Sequence, residues 1–155
     1  MAVDEMTNAA HLPAGEALRD FYARSNRQLE RLLAGQGGSL ARVRMLCHID
    51  HHPGIRAVDL LEAFGQAPRT ITDAIDALER DGLAARIPDP VDRRAKSIVL
   101  TDAGRQMLAD LEPALRDFRM ELFAVLAPAE VMQLTALVSR LNGRLAEMDV
   151  AATSG

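Results

Sequence analysis

The sequence predicts a mainly α-helical chain with one small β-hairpin. Three observations carry this. Hydrophobic residues make up 48% of the chain but aromatics only 3%, which favours helices packed through Ala and Leu over an aromatic-rich sandwich. Two consecutive C-terminal stretches repeat apolar residues in 3-4 alternation, the pattern of a helical seam. Between them and the N-terminal half, two short β-favouring segments flank a proline-stiffened, charged tip. The 155 residues suffice for one domain, or a small domain with a helical extension.

The elements follow in order. The first ten or so residues are polar and uncapped, and read as a mobile arm. A helix is expected from about Ala14 to Ala34, with Leu18, Phe21, Tyr22, Ser25, Leu29, Leu32 and Leu33 mostly on one face and Gly35 as its stop. After the turn Gln36-Gly37-Gly38, Ser39 caps a second helix, Leu40 to about His51, which Pro53-Gly54 ends. A short helix, Ala57 to Phe64, is broken by Gly65. The next begins near Pro68, a residue suited to a first helical turn, and stops at Gly82. Its inner stripe is Ile71, Ala74, Ile75 and Leu78; its outer positions are Arg69, Thr70, Thr72, Asp73 and Asp76. Two helices joined by a turn at Gly65 to Ala67 have helix-turn-helix spacing.

Ala84 to Ile87 and Ser97 to Leu100 then form the hairpin arms, and Pro88-Asp89-Pro90 limits the conformations of the loop that carries Arg93, Arg94 and Lys96. Thr101 is the expected N-cap of a long helix to about Leu126, kinked by Pro113. Its seam is Leu108, Leu111, Leu115, Phe118, Leu122 and Val125. Ala127-Pro128 restarts a last helix to about Met148, with Val131, Leu134, Val138, Leu141, Leu145 and Met148 in the same alternation. These seams need more apolar surface than one small domain offers, and a second copy of the chain would supply it. The division expected is 1–38 for an arm and dimerisation helix, 39–101 for a winged helix-turn-helix, and 102–155 for C-terminal dimerisation helices.

Net charge is −4, which at first argues against nucleic acid. Residues 39–101, however, hold nine basic and nine acidic side chains. That segment is neutral, and phosphate contacts depend on local field rather than on the total. No apolar run approaches the roughly 18 residues of a membrane span, and the N-terminus has no secretory pattern, so a cytoplasmic location is expected. One cysteine, Cys47, allows no intrachain disulfide. No nucleophile–base pair or glycine-rich phosphate loop is present, so neither an enzyme nor a cofactor is expected.

A helix suited to the major groove beside a cationic loop suited to the minor groove or to phosphates is the layout of a winged helix-turn-helix DNA reader. The chain further resembles the MarR family of regulators. The resemblance rests on Arg69-Thr70-Ile71-Thr72 through Leu78-Glu79 with Gly82-Leu83, on Asp92-Arg93-Arg94-Ala95-Lys96 through Leu100-Thr101, on Asp102-Ala103-Gly104, and on Pro128-Ala129-Glu130. It runs from about Ala14 to Met148. It implies an obligate homodimer interlocked through the first, fifth and sixth helices, a pseudo-palindromic operator in double-stranded DNA, and a repressor released by a small molecule bound between the dimer helices and the winged lobe. Two positions depart from the pattern. Asp73 stands where many relatives carry a basic residue, and Ala127 where a Ser often caps the final helix.

Particular residues then acquire expected roles. Arg94, posed by a pairing of Asp92 with its guanidinium, suits the narrow minor groove; the plain alternative is a surface ion pair. Arg93 and Lys96 suit phosphates. Arg69 suits guanine, and Thr70 and Thr72 suit base edges, methyls or phosphates. Asp73 accepts from cytosine or repels wrong sequences, and Asp76 is a candidate ion-pair partner on its own helix. Ser39 and Arg42 open a helix whose N-terminus suits phosphate. Phe21, Tyr22, Arg24, His48 and His51 are candidate lining for the implied pocket, with Arg24 suited to an anionic, aromatic effector; plain dimer core is the preferred reading of Phe21 and Tyr22. His48 and His52 have chelating spacing, but no second ligand cluster accompanies them and His11 is remote, so no metal is expected. Cys47 is expected to be a small buried hydrophobe. The rival readings are a redox-sensing regulator using Cys47, and a winged-helix protein-interaction module without DNA binding.

Overall fold

The computed structural model describes residues 2–36, 38–90, 92 and 94–153, with side chains placed from residue 11 to residue 151 apart from those gaps. Among the described residues, six helices and a two-stranded sheet follow in the order α1 (Ala2–Ala34), α2 (Leu40–His51), α3 (Ala57–Phe64), α4 (Pro68–Arg80), β1 (Ala84–Pro88), β2 (Lys96–Leu100), α5 (Asp102–Phe123) and α6 (Pro128–Thr153). The expected mobile arm is therefore corrected: α1 begins at Ala2, and His11 lies within it. Ala2, Glu5, Met6, Ala9 and Ala10 are good helix formers, and no breaker precedes Pro13. Their propensity outweighs the lack of an apolar stripe.

The local signals act as their chemistry requires. Ser39 Oγ accepts from the Arg42 N–H at 3.3 Å and caps α2. Gly65 ends α3 at φ +58°, a left-handed conformation natural to glycine. Thr101 Oγ1 accepts from the Gly104 N–H at 3.1 Å and donates to the Gly82 carbonyl at 2.6 Å, so one hydroxyl caps α5 and anchors the end of α4. At α6 the missing serine at Ala127 is offset: its N–H donates to Glu130 Oε2 at 2.7 Å, half of a capping box.

β1 and β2 pair antiparallel, with Ala84 opposite Leu100, Arg86 opposite Ile98 and Pro88 opposite Lys96. The Ile98 N–H also donates to the Ile55 carbonyl at 2.7 Å, and Arg56 bridges Ser97. The turn before α3 thus lends β2 a second partner and ties the hairpin to the helices.

Compactness divides the chain into Met1–Ala114 and Leu115–Gly155. The first unit holds the core: Met45, Leu46 and Ile49 of α2, Ile55, Leu60 of α3, Ile71, Ile75 and Leu78 of α4, and Ala84, Ile98 and Leu100 of the hairpin. Burying each large aliphatic side chain stabilises by about 1.5–3 kcal/mol, so the helix-turn-helix and its hairpin share one hydrophobic anchor. In the second unit α6 leaves Leu134, Leu137, Val138, Leu141, Leu145 and Met148 exposed.

Candidate nucleic-acid interface

α4 rests on Ile71, Ile75 and Leu78, which are 1%, 0% and 3% exposed. Helical periodicity then turns Arg69, Thr70, Thr72, Asp73 and Asp76 outward, and all five are exposed. The Thr72 hydroxyl donates back to the Pro68 carbonyl at 3.0 Å, so its proton is engaged within the helix. Arg69 Nε lies 3.8 Å from Asp73 Oδ2, one turn along.

Asp76 does pair, but not on its own helix as expected. Its carboxylate meets Arg86 of β1 at 2.7 Å, and Arg86 also binds Glu79 through its guanidinium, while its N–H donates to Glu79 Oε1 at 2.8 Å. Burial opposes the charge on Arg86, but the two carboxylates prevail and hold its pKa above the ordinary value. Arg86 therefore clasps α4 to the hairpin. Sequence reasoning missed it because the pairing joins two elements whose contact only the fold creates. Arg42 is similarly engaged, with Asp81 just past the end of α4, so its guanidinium braces α2 against α4 in addition to lying beside the α2 N-terminus.

The wing is built on Asp89. Asp89 Oδ2 accepts from the hydroxyl of Ser97, which is 0% exposed, at 2.8 Å, and Asp89 Oδ1 accepts from the Asp92 N–H at 2.9 Å. Asp92 Oδ1 in turn accepts from the Arg94 backbone N–H at 3.0 Å. This corrects the expected pairing of Asp92 with the Arg94 guanidinium: the carboxylate makes an Asx turn, and shapes the backbone that carries Arg94. Arg94 and Lys96 are exposed and form no ion pair among the described residues. Arg93 lies outside the described residues. The Pro-Asp-Pro signal was visible in the sequence, but not that its aspartate holds a buried serine eight residues on.

The candidate effector residues fall into separate groups. Tyr22 Oη lies 3.3 Å from Arg44 Nη1, Arg44 Nη2 donates to Asn26 Oδ1 at 2.7 Å, and the guanidinium stands 5.6 Å from the Tyr22 ring centre. Hydrogen bonding to Asn26, then Arg44, lowers the Tyr22 pKa. Arg24 pairs with Asp20 instead, at 3.7 Å. Phe21 is 50% exposed. His48 stacks on His52 at 4.2 Å and meets the edge of Phe64 at 5.4 Å, while His51 Nδ1 lies 2.6 Å from the Cys47 carbonyl. A groove of about 420 Å³ runs between α2 and α4, with Arg44, Met45, Phe64 and Thr70 in its lining, and none of the five candidates lines it. Arg44 was missed in the sequence; the signal available was an arginine and a tyrosine on consecutive predicted helices. Burial, Asp50 and Glu112 raise the Cys47 thiol pKa, the opposite of what a reactive thiolate needs. No group of three or more His, Cys, Asp or Glu side chains among the described residues is arranged to hold a metal.

The helix pair, the clasped hairpin and the exposed Arg94 and Lys96 agree with comparison to known proteins. Residues 39–96 match the model of the MarR family. The winged-helix segment is thus similar to the MarR family. Solved MarR-family structures extend the likeness beyond that segment. A variant of E. coli MarR complexed with operator DNA is 25% identical, with a TM-score of 0.73, over 83% of this chain and 93% of that one. AbsC, a MarR family transcriptional regulator from Streptomyces coelicolor, is 23% identical with a TM-score of 0.74, over 86% and 93%; at that identity the likeness is one of fold. BpsR of Bordetella bronchiseptica, whose DNA binding is regulated by 6-hydroxynicotinic acid, is 25% identical with a TM-score of 0.72, over 84% and 98%. The MarR-family fold therefore extends well past the matched segment, into the long helices on either side.

Proposed function

We propose that this chain is a homodimeric transcriptional regulator of the cytoplasm, which binds a pseudo-palindromic site in double-stranded DNA and acts as a repressor released by a small anionic or aromatic effector. The observation that carries the reading is the pairing of an outward α4 face with a braced wing whose Arg94 and Lys96 have no ion-pair partner among the described residues. α4 enters the major groove, with Arg69, Thr70 and Thr72 toward the bases, and Arg94 enters the adjacent minor groove, where narrow A·T tracts concentrate negative potential. Arg93, Lys96 and the α2 N-terminus at Ser39 and Arg42 serve phosphates. Asp92 orients the wing by way of the backbone.

Dimerisation is supported by the exposed apolar seam of α6, a face that water alone covers poorly. Two copies would present two α4 helices about 34 Å apart, one DNA turn. The effector reading is supported by the relative whose DNA binding a small aromatic acid regulates. An effector that prefers one dimer geometry shifts the population away from that spacing.

The test is titration of full-length protein against duplex DNA from its own upstream region at several salt concentrations. Arg94→Ala is expected to weaken binding about tenfold and to lower the salt slope, because a cation held in the minor groove also displaces condensed counterions. Unchanged affinity and slope would refute the role of the wing, and no sequence-selective binding by the wild type would refute the function.

A further inference from the structure

We infer that Arg69 and Asp73 form one reading unit on α4, which selects a guanine through Arg69 and a nearby cytosine through Asp73. The inference rests on the DNA-binding reading and specifies what that site recognises. The two side chains are 92% and 69% exposed, and Arg69 Nε faces Asp73 Oδ2 at 3.8 Å. A pair this open contributes little to stability, so its placement on the reading face calls for another account. At 3.8 Å the contact is longer than a hydrogen bond, so the guanidinium donors of Arg69 stay available for the O6 and N7 acceptors of guanine.

The other carboxylates of α4 have different duties. Asp76 and Glu79 are both taken by Arg86 of β1. Asp73 has no such hold on the hairpin. A carboxylate on this face is repelled by phosphate, so it is tolerated only where it meets a donor. In the major groove cytosine N4 donates on one edge alone, and adenine N6 beside an acceptor; an aspartate, which only accepts, suits the cytosine. Four residues of helix rise about 6 Å, less than two base steps of about 3.4 Å. The cytosine therefore lies within two base pairs of the guanine.

The experiment is selection from a randomised duplex library, sequenced after binding by full-length wild type, Arg69→Ala, Asp73→Ala and Asp73→Asn. Asp73 is an exposed helix position, and none of its substitutions disturbs the core. Wild type is expected to enrich a guanine and a cytosine within two base pairs. Asp73→Ala keeps the guanine and loses the roughly tenfold cytosine preference. Asp73→Asn turns that position to adenine, because a side-chain amide both donates and accepts. Arg69→Ala loses the guanine. The same motif from wild type, Asp73→Ala and Asp73→Asn would overturn the pair, whereas a wild type that enriches no motif would overturn the DNA-binding reading itself.

Discussion

The link between Asp89 and Ser97 offers the sharpest test of how the wing is held. Ser97 is 0% exposed, and its hydroxyl donates to Asp89 Oδ2 at 2.8 Å. A hydrogen bond to a charged acceptor contributes about 1.5–3 kcal/mol. Asp89 is only half-buried, so water competes and the lower part of that range applies. The bond it accepts from the exposed Asp92 N–H passes to water at little net cost. Asp89→Ala is therefore expected to destabilise by about 2 kcal/mol, most of it from the stranded buried hydroxyl. Ser97→Ala removes the donor and costs about 1–2 kcal/mol. In the double variant neither group is left waiting for the other, so the total falls short of the sum by about 1.5 kcal/mol. Urea unfolding of the four proteins, followed by circular dichroism at one pH and one protein concentration, measures this coupling. Single-variant effects that add to within about 0.3 kcal/mol would refute the claim that Asp89 holds the hairpin through Ser97.

Two further predictions concern the frame behind the interface. An added Cβ at Gly104 would lie 2.1 Å from the Leu83 carbonyl oxygen, which also accepts from the Thr101 N–H. Gly104→Ala should therefore lower the melting temperature by about 6–12 °C, from roughly 3 kcal/mol of overpacking, although alanine in an open helix would raise it; a rise would refute the close approach of α5 to the Leu83 carbonyl. His48 has its pKa lowered by burial, then by His52 and His51, so the unfolded chain takes up that proton first. Stability from this group is fully present above the ordinary histidine value of about 6.5 and is lost as pH falls from there through the lowered folded value. The urea midpoint of wild type should drop more between neutral and mildly acidic pH than that of His48→Gln, and equal drops would refute the assignment.

Periodicity made much of the fold legible. The stripe Ile71, Ile75, Leu78 was readable because α-helical geometry repeats every 3.6 residues, and the same arithmetic placed Arg69, Thr70, Thr72 and Asp73 outside. Ser39 and Thr101 were readable as caps because a short hydroxyl side chain satisfies amide groups within three residues of itself. The start of α1 was not, because an uncapped polar stretch carries no stripe to set against its helix propensity. Asp92 was assigned the right neighbour but the wrong atom: spacing brings its carboxylate to residue 94, and only the turn geometry sends it to the backbone N–H.

By itself, then, the sequence determined where the helices from α2 to α6 run, which face of α4 is apolar, and where a cationic loop follows that helix. These properties arise within a few residues along the chain. The tertiary structure alone decided that Arg86 clasps Asp76 and Glu79, that Arg42 meets Asp81, that Ile55 lends its carbonyl to Ile98, and that Asp89 holds Ser97. Most of those partners are separated by many residues or by a change of element. Their meeting depends on how the shared core of α2, α4 and β2 closes, and local pattern carries no information about that closure.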